Sequence, residues 1–172
     1  AGFQVALLCK RRKDEKAEED VDGIKVVRVW AGRSTFSKGI IDVLLSVFFI
    51  HPIFIFHINR FISHYKIDVI HVHDLPLVKA LIIKTRNSGV KVVADFHENF
   101  PEALKVWFQW KTNPIIRLKN RLFFGFNRWT QYESWAVNNA DYVIAVVDEM
   151  KSRIISEHPQ ALDKVVVVTN TE

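Results

Sequence analysis

With 172 residues, 49% of them hydrophobic and 25% charged, the chain has the size and composition of one globular domain with a sizeable core, which excludes wholesale disorder. Its single cysteine, Cys9, excludes an intramolecular disulfide framework and argues against a cysteine-based zinc site, so a reducing cytoplasm is the expected setting. The net charge is +5, and where those charges lie matters more than their sum.

Short β-rich runs alternate with longer helical ones. The opening stretch AGFQVALLC lacks the basic leader and cleavage region of a secretory signal, and Phe3 to Cys9 reads as a strand. The charged run KRRKDEKAEED follows, with both signs mixed and only Ala17 apolar, and is expected to be a solvated loop. Ile24 to Trp30 is a second strand. Residues 39 to 58, GIIDVLLSVFFIHPIFIFHI, approach the length of a membrane span, but Asp42, His51, Pro52 and His57 interrupt them. One or two buried helices, broken ahead of Pro52, are expected instead.

Asp68 to His73 is strand-like, and Leu75 to Asn87 is helical, with Val78, Leu81 and Ile82 at helical spacing and Gly89 placed to end it. Val90 to Phe96 is a strand and a long helical region runs to about Asn139. Tyr142 to Val147, a short helix near 148 to 157, and the strand Lys164 to Thr169 complete the series. Strands such as YVIAVV and VVVVT are apolar on both faces, as in a parallel sheet covered by helices. The expected fold is a doubly wound, mostly parallel α/β sheet of Rossmann-like type with helices on both faces, in a single domain spanning residues 1–172.

Ligands of such sheets bind beyond the carboxyl ends of the strands. IHVHD supplies His71, His73 and Asp74 at one such end, and ADFHE supplies Asp95, His97 and Glu98 at another. If these strands are neighbours, His73, Asp74, His97 and Glu98 share one crevice. Asp74 ahead of Leu75-Pro76 reads equally as a helix cap, and His71 reads as a satisfied core histidine. His71, His73 and His97 also resemble the metal-ligand set of a hydrolase, although no histidine stands at the later strand ends. No GxGxxG and no GxxxxGK[ST] loop is present.

Between Glu102 and Glu133 there is no acidic residue but six basic ones, interleaved with aromatics. On one helix from about residue 115, Ile115, Leu118, Leu122, Phe126, Trp129 and Ala136 form a stripe expected in the core. Arg117, Arg121, Phe124 and Arg128 form its neighbour, and with Trp107 and Trp110 they have the composition of a membrane-interface helix or of a plain solvated face. No nucleic-acid-binding module accompanies them, so no nucleic-acid partner is expected.

DVIHVHDLPLVKALIIKTRNSGVKVVADFHENFPE, then YESWAVNNADYVIAVVDEMKSRII followed by VVVVTNTE, resemble the N-terminal, acceptor-binding domain of GT-B-fold, family 4-like (group 1) glycosyltransferases. Order and spacing carry the resemblance, and AGFQVALLC is similar to the family's second strand. Val147 departs from the family's usual Ser or Thr, and Thr169 from its Pro.

The resemblance implies a retaining, nucleotide-sugar-dependent glycosyltransferase of hexosyltransferase type, acting in cell-surface polysaccharide or glycolipid synthesis. It implies that His97 is the catalytic-cleft histidine and that His73, Asp74, Glu98 and Asn99 line the acceptor side. No metal and no cofactor are expected in this domain. The nucleotide sugar is expected to bind mainly a second domain outside these residues, and the family's first strand is expected to precede Ala1, so the domain reads as truncated at both ends and inactive alone. The partners implied are a sugar or lipid-linked acceptor, the nucleotide sugar and an anionic membrane surface. The expected location is the cytoplasm, peripheral on the inner face of the cytoplasmic membrane. A metal-dependent hydrolase and a non-catalytic anionic-lipid-binding module remain the alternatives.

Overall fold

A computed structural model describes residues 2–30, 32, 34–110 and 113–169. The strands are β1 (Ala6–Lys10), β2 (Glu18–Val21), β3 (Ile24–Val29), β4 (Val69–His73), β5 (Lys91–Phe96), β6 (Tyr142–Ala145) and β7 (Val165–Val167). The helices are α1 (Thr35–Phe48), α2 (Pro52–Tyr65), α3 (Leu75–Thr85), α4 (Phe100–Gln109), α5 (Pro114–Phe123), α6 (Phe126–Asn139) and α7 (Asp148–Glu157). The expected mixed α/β architecture is observed, with its strands in two hydrogen-bonded sheets. β1-β3-β2 form one, and β4-β5-β6-β7 form the other, in which all pairs are parallel.

The charged run is not all loop. Glu18–Val21 pairs antiparallel with β3, from Glu18 opposite Val27 to Val21 opposite Ile24. Asp22 and Gly23 close the two-residue turn at φ 51° and 84°, the left-handed pair that a tight hairpin requires. A strand this charged survives because it is an edge and its charges are matched, with Glu19 2.5 Å from Arg28 and Asp20 2.6 Å from Lys25.

The break ahead of Pro52 is also observed. α1 ends at Phe49, left-handed at φ 54°, and α2 starts with Pro52 in its first turn, giving a bend of 78°. The pair is not buried as expected. Ile41, Phe54 and Ile58 face inward, while Phe36 and Phe56 are about four-fifths exposed at 79% and 81%. No helix of the described residues is long and apolar enough to cross a membrane alone; α1 and α2 pass that test only as a bent pair.

His51 sits at this bend, 2% exposed, with its ring edge-on to Phe54 and its Nδ1 without a hydrogen-bond partner. Burial, aided by the Lys10 charge, pushes its imidazole down from 6.5 to about 4. Because the folded value lies below the unfolded one, the associated stability is complete above about pH 6.5 and is lost as pH falls toward 4. Between about pH 7 and about pH 5 the unfolding free energy should fall by about 2 kcal/mol more than in His51→Leu. Urea denaturation at both pH values checks this; identical acid limbs would show that His51 is not the group responsible.

The long helical region before β6 is three helices. The second break, at Phe124-Gly125, shifts the helical phase, so the single stripe drawn from residue 115 is not realised. Trp129 and Ala136 are buried as expected, but Ile115, Leu118 and Leu122 are 77%, 59% and 60% exposed. Trp129 is instead the centre of an aromatic cluster with Phe49, Phe100, Phe124 and Tyr132. Tyr132 reaches from α6 into the first turn of α3, where its hydroxyl donates to the Leu75 carbonyl at 2.9 Å and accepts from Lys79 N–H at 3.0 Å. That fixes the start of α3, and with it the segment that follows β4.

Candidate functional site

β4 and β5 are parallel neighbours, with His73 opposite Asp95 and His71 opposite Val93. The alternation of a strand puts residues two apart on one face, so His71, His73 and Asp95 face the same way. The opposite face takes the core residues Val72, Ala94 and Phe96. His97 follows directly after β5.

Their side chains converge on one oxygen. Asp95 Oδ2 lies 2.6 Å from His71 Nε2, 3.1 Å from His97 Nε2 and 3.7 Å from His73 Nδ1. His73 Nδ1 and His97 Nε2 are themselves 2.6 Å apart. The rings stack nearly parallel, His71 on His73 at 4.8 Å and His73 on His97 at 4.9 Å. Asp95 is buried, with its Oδ1 lacking any partner, while its imidazole neighbours are open to solvent. A buried carboxylate is tolerated only when paired and hydrogen-bonded; here the pairing comes from histidines that a ligand can reach.

The expectation for His71 is corrected. It is not a core histidine but an exposed one bonded to Asp95, because its face of β4 is not covered at that point. Asp95, which the sequence suggested only as a strand end, is the hub. The period-two alternation of IHVH and ADFH was the available signal, since it places His71 with His73 and Asp95 with His97, while the register that brings the two pairs together comes from the structure.

Asp74 occupies the cap position of α3 without making a side-chain cap bond, at φ 67° and ψ 149°. That region is nearly restricted to glycine and costs about 1–3 kcal/mol for other residues. Its N–H donates to the Asp95 carbonyl at 2.9 Å, which ties this turn to the end of β5. Burial raises the Glu98 carboxyl above its ordinary value and the Asp74 charge adds to it, so the two acids stand near one another beside His97. Asn99 is spent locally, its Oδ1 accepting from Glu102 N–H at 3.4 Å as the α4 cap.

A cleft of about 370 Å³ opens beside this cluster, lined by His97, Glu98, Asn99, Val146, Glu149 and Arg153. Behind it, Arg153 makes a 2.6 Å ion pair with Glu133, which is 4% exposed; burial raises the Glu133 carboxyl more than Arg153 lowers it. This ion pair fixes α7 against α6. A larger concavity, about 540 Å³, lies at the opposite ends of the strands around Gly89, Lys91 and Asp141. There Asp141 is already satisfied by Lys91 Nζ and Val92 N–H at 2.8 and 2.9 Å.

The basic aromatic residues do not stay together. Arg128 donates to the carbonyls of Phe123 and Val47 and lies over the Phe49 ring, and Phe124 packs on the core. Both belong to helix contacts rather than to a surface. Arg117, Arg121, Trp107 and Trp110 are exposed. Lys111 and residues 170–172 lie outside the described residues.

The family described as glycosyl transferase 4-like domain matches residues 1–171. Among solved structures, sucrose-phosphate synthase from Thermosynechococcus elongatus is similar in fold, at a TM-score of 0.63 and 15% identity. The match covers 98% of this chain and 38% of that one, so the chain spans well under half of the length of that synthase. No curated protein matches the sequence.

Proposed function

Since the chain belongs to the glycosyl transferase 4-like domain family, we propose that it is the acceptor-binding half of a retaining, nucleotide-sugar-dependent hexosyltransferase in cell-surface polysaccharide or glycolipid synthesis. The observation that carries this reading is His97, held by Asp95 Oδ2 at 3.1 Å on the rim of a cleft at the carboxyl ends of β5 and β6. A half-exposed imidazole fixed in this way can hold an acceptor hydroxyl, or a hydroxyl of the transferred sugar, at a set position. Its contribution is orientation and electrostatic complementarity rather than strong base catalysis. Glu98 and the strained Asp74 add acceptor oxygens suited to sugar hydroxyls, and His73 borders them. The donor nucleotide binds outside these residues, so the acceptor side can be tested apart from it.

In the full-length protein, His97→Ala should lower turnover by about 100-fold, the scale of a lost orienting contact, and leave nucleotide-sugar affinity within about twofold. Steady-state transfer and equilibrium donor binding measure the two. Equal loss of both would assign His97 a structural role and overturn the reading.

The location we propose is the cytoplasmic face of the membrane, where the protein binds peripherally. Trp110, Ile115, Leu118 and Leu122 are exposed near Arg117 and Arg121, and α5 packs against α1, whose Phe36 is exposed as well. Exposed apolar residues flanked by cations suit an anionic bilayer surface. Each cation near such a surface contributes about 1 kcal/mol, so Arg117→Glu with Arg121→Glu should weaken cosedimentation with phosphatidylglycerol vesicles by about 10- to 100-fold. Binding that ignores both the charges and the salt would rule out this surface.

A further inference from the structure

The cluster around Asp95 has a property that sugar transfer does not require. Three residues, His71, His73 and Asp95, each bring a ligand atom into one small volume, and His97 Nε2 borders it, 2.6 Å from His73 Nδ1 and 3.1 Å from Asp95 Oδ2. The ligand atoms of His71, His73 and Asp95 all lie within 4.8 Å of one another. The three contacts to Asp95 Oδ2 and the His73–His97 pair run from 2.6 to 3.7 Å. A tetrahedral ion with bonds of about 2.0–2.1 Å sets its donors about 3.3 Å apart, so ligand atoms lying within 4.8 Å of one another reach that geometry by side-chain rotations. The imidazoles are free to make them, because His71 and His73 are 49% and 61% exposed.

We propose that His71, His73 and Asp95, with His97 beside them, form a binding site for a single first-row divalent transition metal ion of the zinc class. The donor set selects the metal. Neutral imidazole nitrogens with one carboxylate oxygen suit Zn²⁺, Co²⁺ or Ni²⁺, and disfavour Ca²⁺ and Mg²⁺, which take oxygen ligands. Burial of Asp95 supplies the fixed negative charge, and its unpartnered Oδ1 leaves the carboxylate with one lone-pair-rich oxygen unused. In the metal-free protein the same contacts are satisfied by protons, since one of His73 Nδ1 and His97 Nε2 must donate to the other. The ion takes their place, and each displaced proton passes to the other ring nitrogen or to solvent.

The inference does not depend on the transferase reading, and its test uses no sugar. The full-length protein, stripped with a chelator, is titrated with Co²⁺ and then Zn²⁺, and binding is followed by Co²⁺ absorption and equilibrium dialysis. One equivalent is expected, with the strong visible bands of a four-coordinate site. Loss of groups that only orient metal ligands costs about 10–100-fold in affinity, so His71→Ala with His73→Ala should cost at least about 100-fold. X-ray absorption of the Zn²⁺-loaded wild type should show at least two imidazoles, which tests the site even if the double variant fails to fold. Absence of stoichiometric binding, binding that survives the double variant, or a first shell without imidazole would each overturn the proposal.

Discussion

Trp129→Ala should remove about 3–5 kcal/mol of stability, the usual range for truncating a fully buried aromatic. Its position makes the effect large. Trp129 is 0% exposed and meets Phe49 at 5.0 Å, Phe100 at 4.8 Å and Tyr132 at 5.7 Å between ring centroids. Those partners come from the end of α1, the start of α4 and α6 itself, so one side chain holds three helices together. Domains are stable by about 5–15 kcal/mol in all, and for a domain of this size the loss corresponds to about 6–20 °C in melting temperature. Trp129→Phe keeps the aromatic packing and gives up little hydrogen bonding, since the indole N–H reaches the Phe123 carbonyl only at 3.4 Å; it should cost less than half as much. Thermal and urea unfolding of the full-length variants measure both. A loss below about 1 kcal/mol in Trp129→Ala would show that the cluster can collapse around the gap.

The same tryptophan shows what could be read from the sequence and what could not. Trp129 was placeable in the core by its spacing from Ala136, but its partners were not, because the pattern was drawn across Phe124-Gly125 as one helix. Gly125 inside a helical pattern is a breaker signal, and it outweighs the apparent continuity of the apolar stripe. The break sends Ile115, Leu118 and Leu122 outward and draws Arg128 inward to the Val47 carbonyl. Hydrophobicity alone does not distinguish a residue that faces the core from one that faces a bilayer. The β2–β3 hairpin was lost to a different competition. Its charges spoke for a loop, while the Asp22-Gly23 pair spoke for a tight turn, and on an edge strand the turn chemistry decides.

The strand series from β4 onward was legible because buried parallel strands leave long apolar runs punctuated by glycine and helix starts. From that series alone, the neighbouring of IHVHD and ADFHE followed as a conditional. Register was not available, and register is what selects the hub. Only the pairing of His73 with Asp95 makes Asp95, rather than Glu98 or Asp74, the common partner of the histidines.

That difference leads to a prediction on function that separates it from stability. Asp95→Asn preserves volume but replaces an anionic acceptor with an amide, so His71 and His97 lose the charge that both contact through Oδ2. In the proposed function Asp95 is a positioning residue, acting through His97. With the anion that holds His97 Nε2 removed, turnover in the full-length protein should fall by about 100-fold, as expected when a reacting group is misplaced by about 1 Å. Stability should fall by no more than about 1 kcal/mol, because the amide oxygen of the variant can still accept from His71 Nε2. The decisive comparison is the double variant. If Asp95 works through His97, then Asp95→Asn in a His97→Ala background should cost less than about tenfold, since residues acting as one unit are strongly non-additive. Full additivity would mean that Asp95 supports the site by another route, through His71 and the end of β4. A melting temperature falling in step with turnover would reduce it to a structural acid.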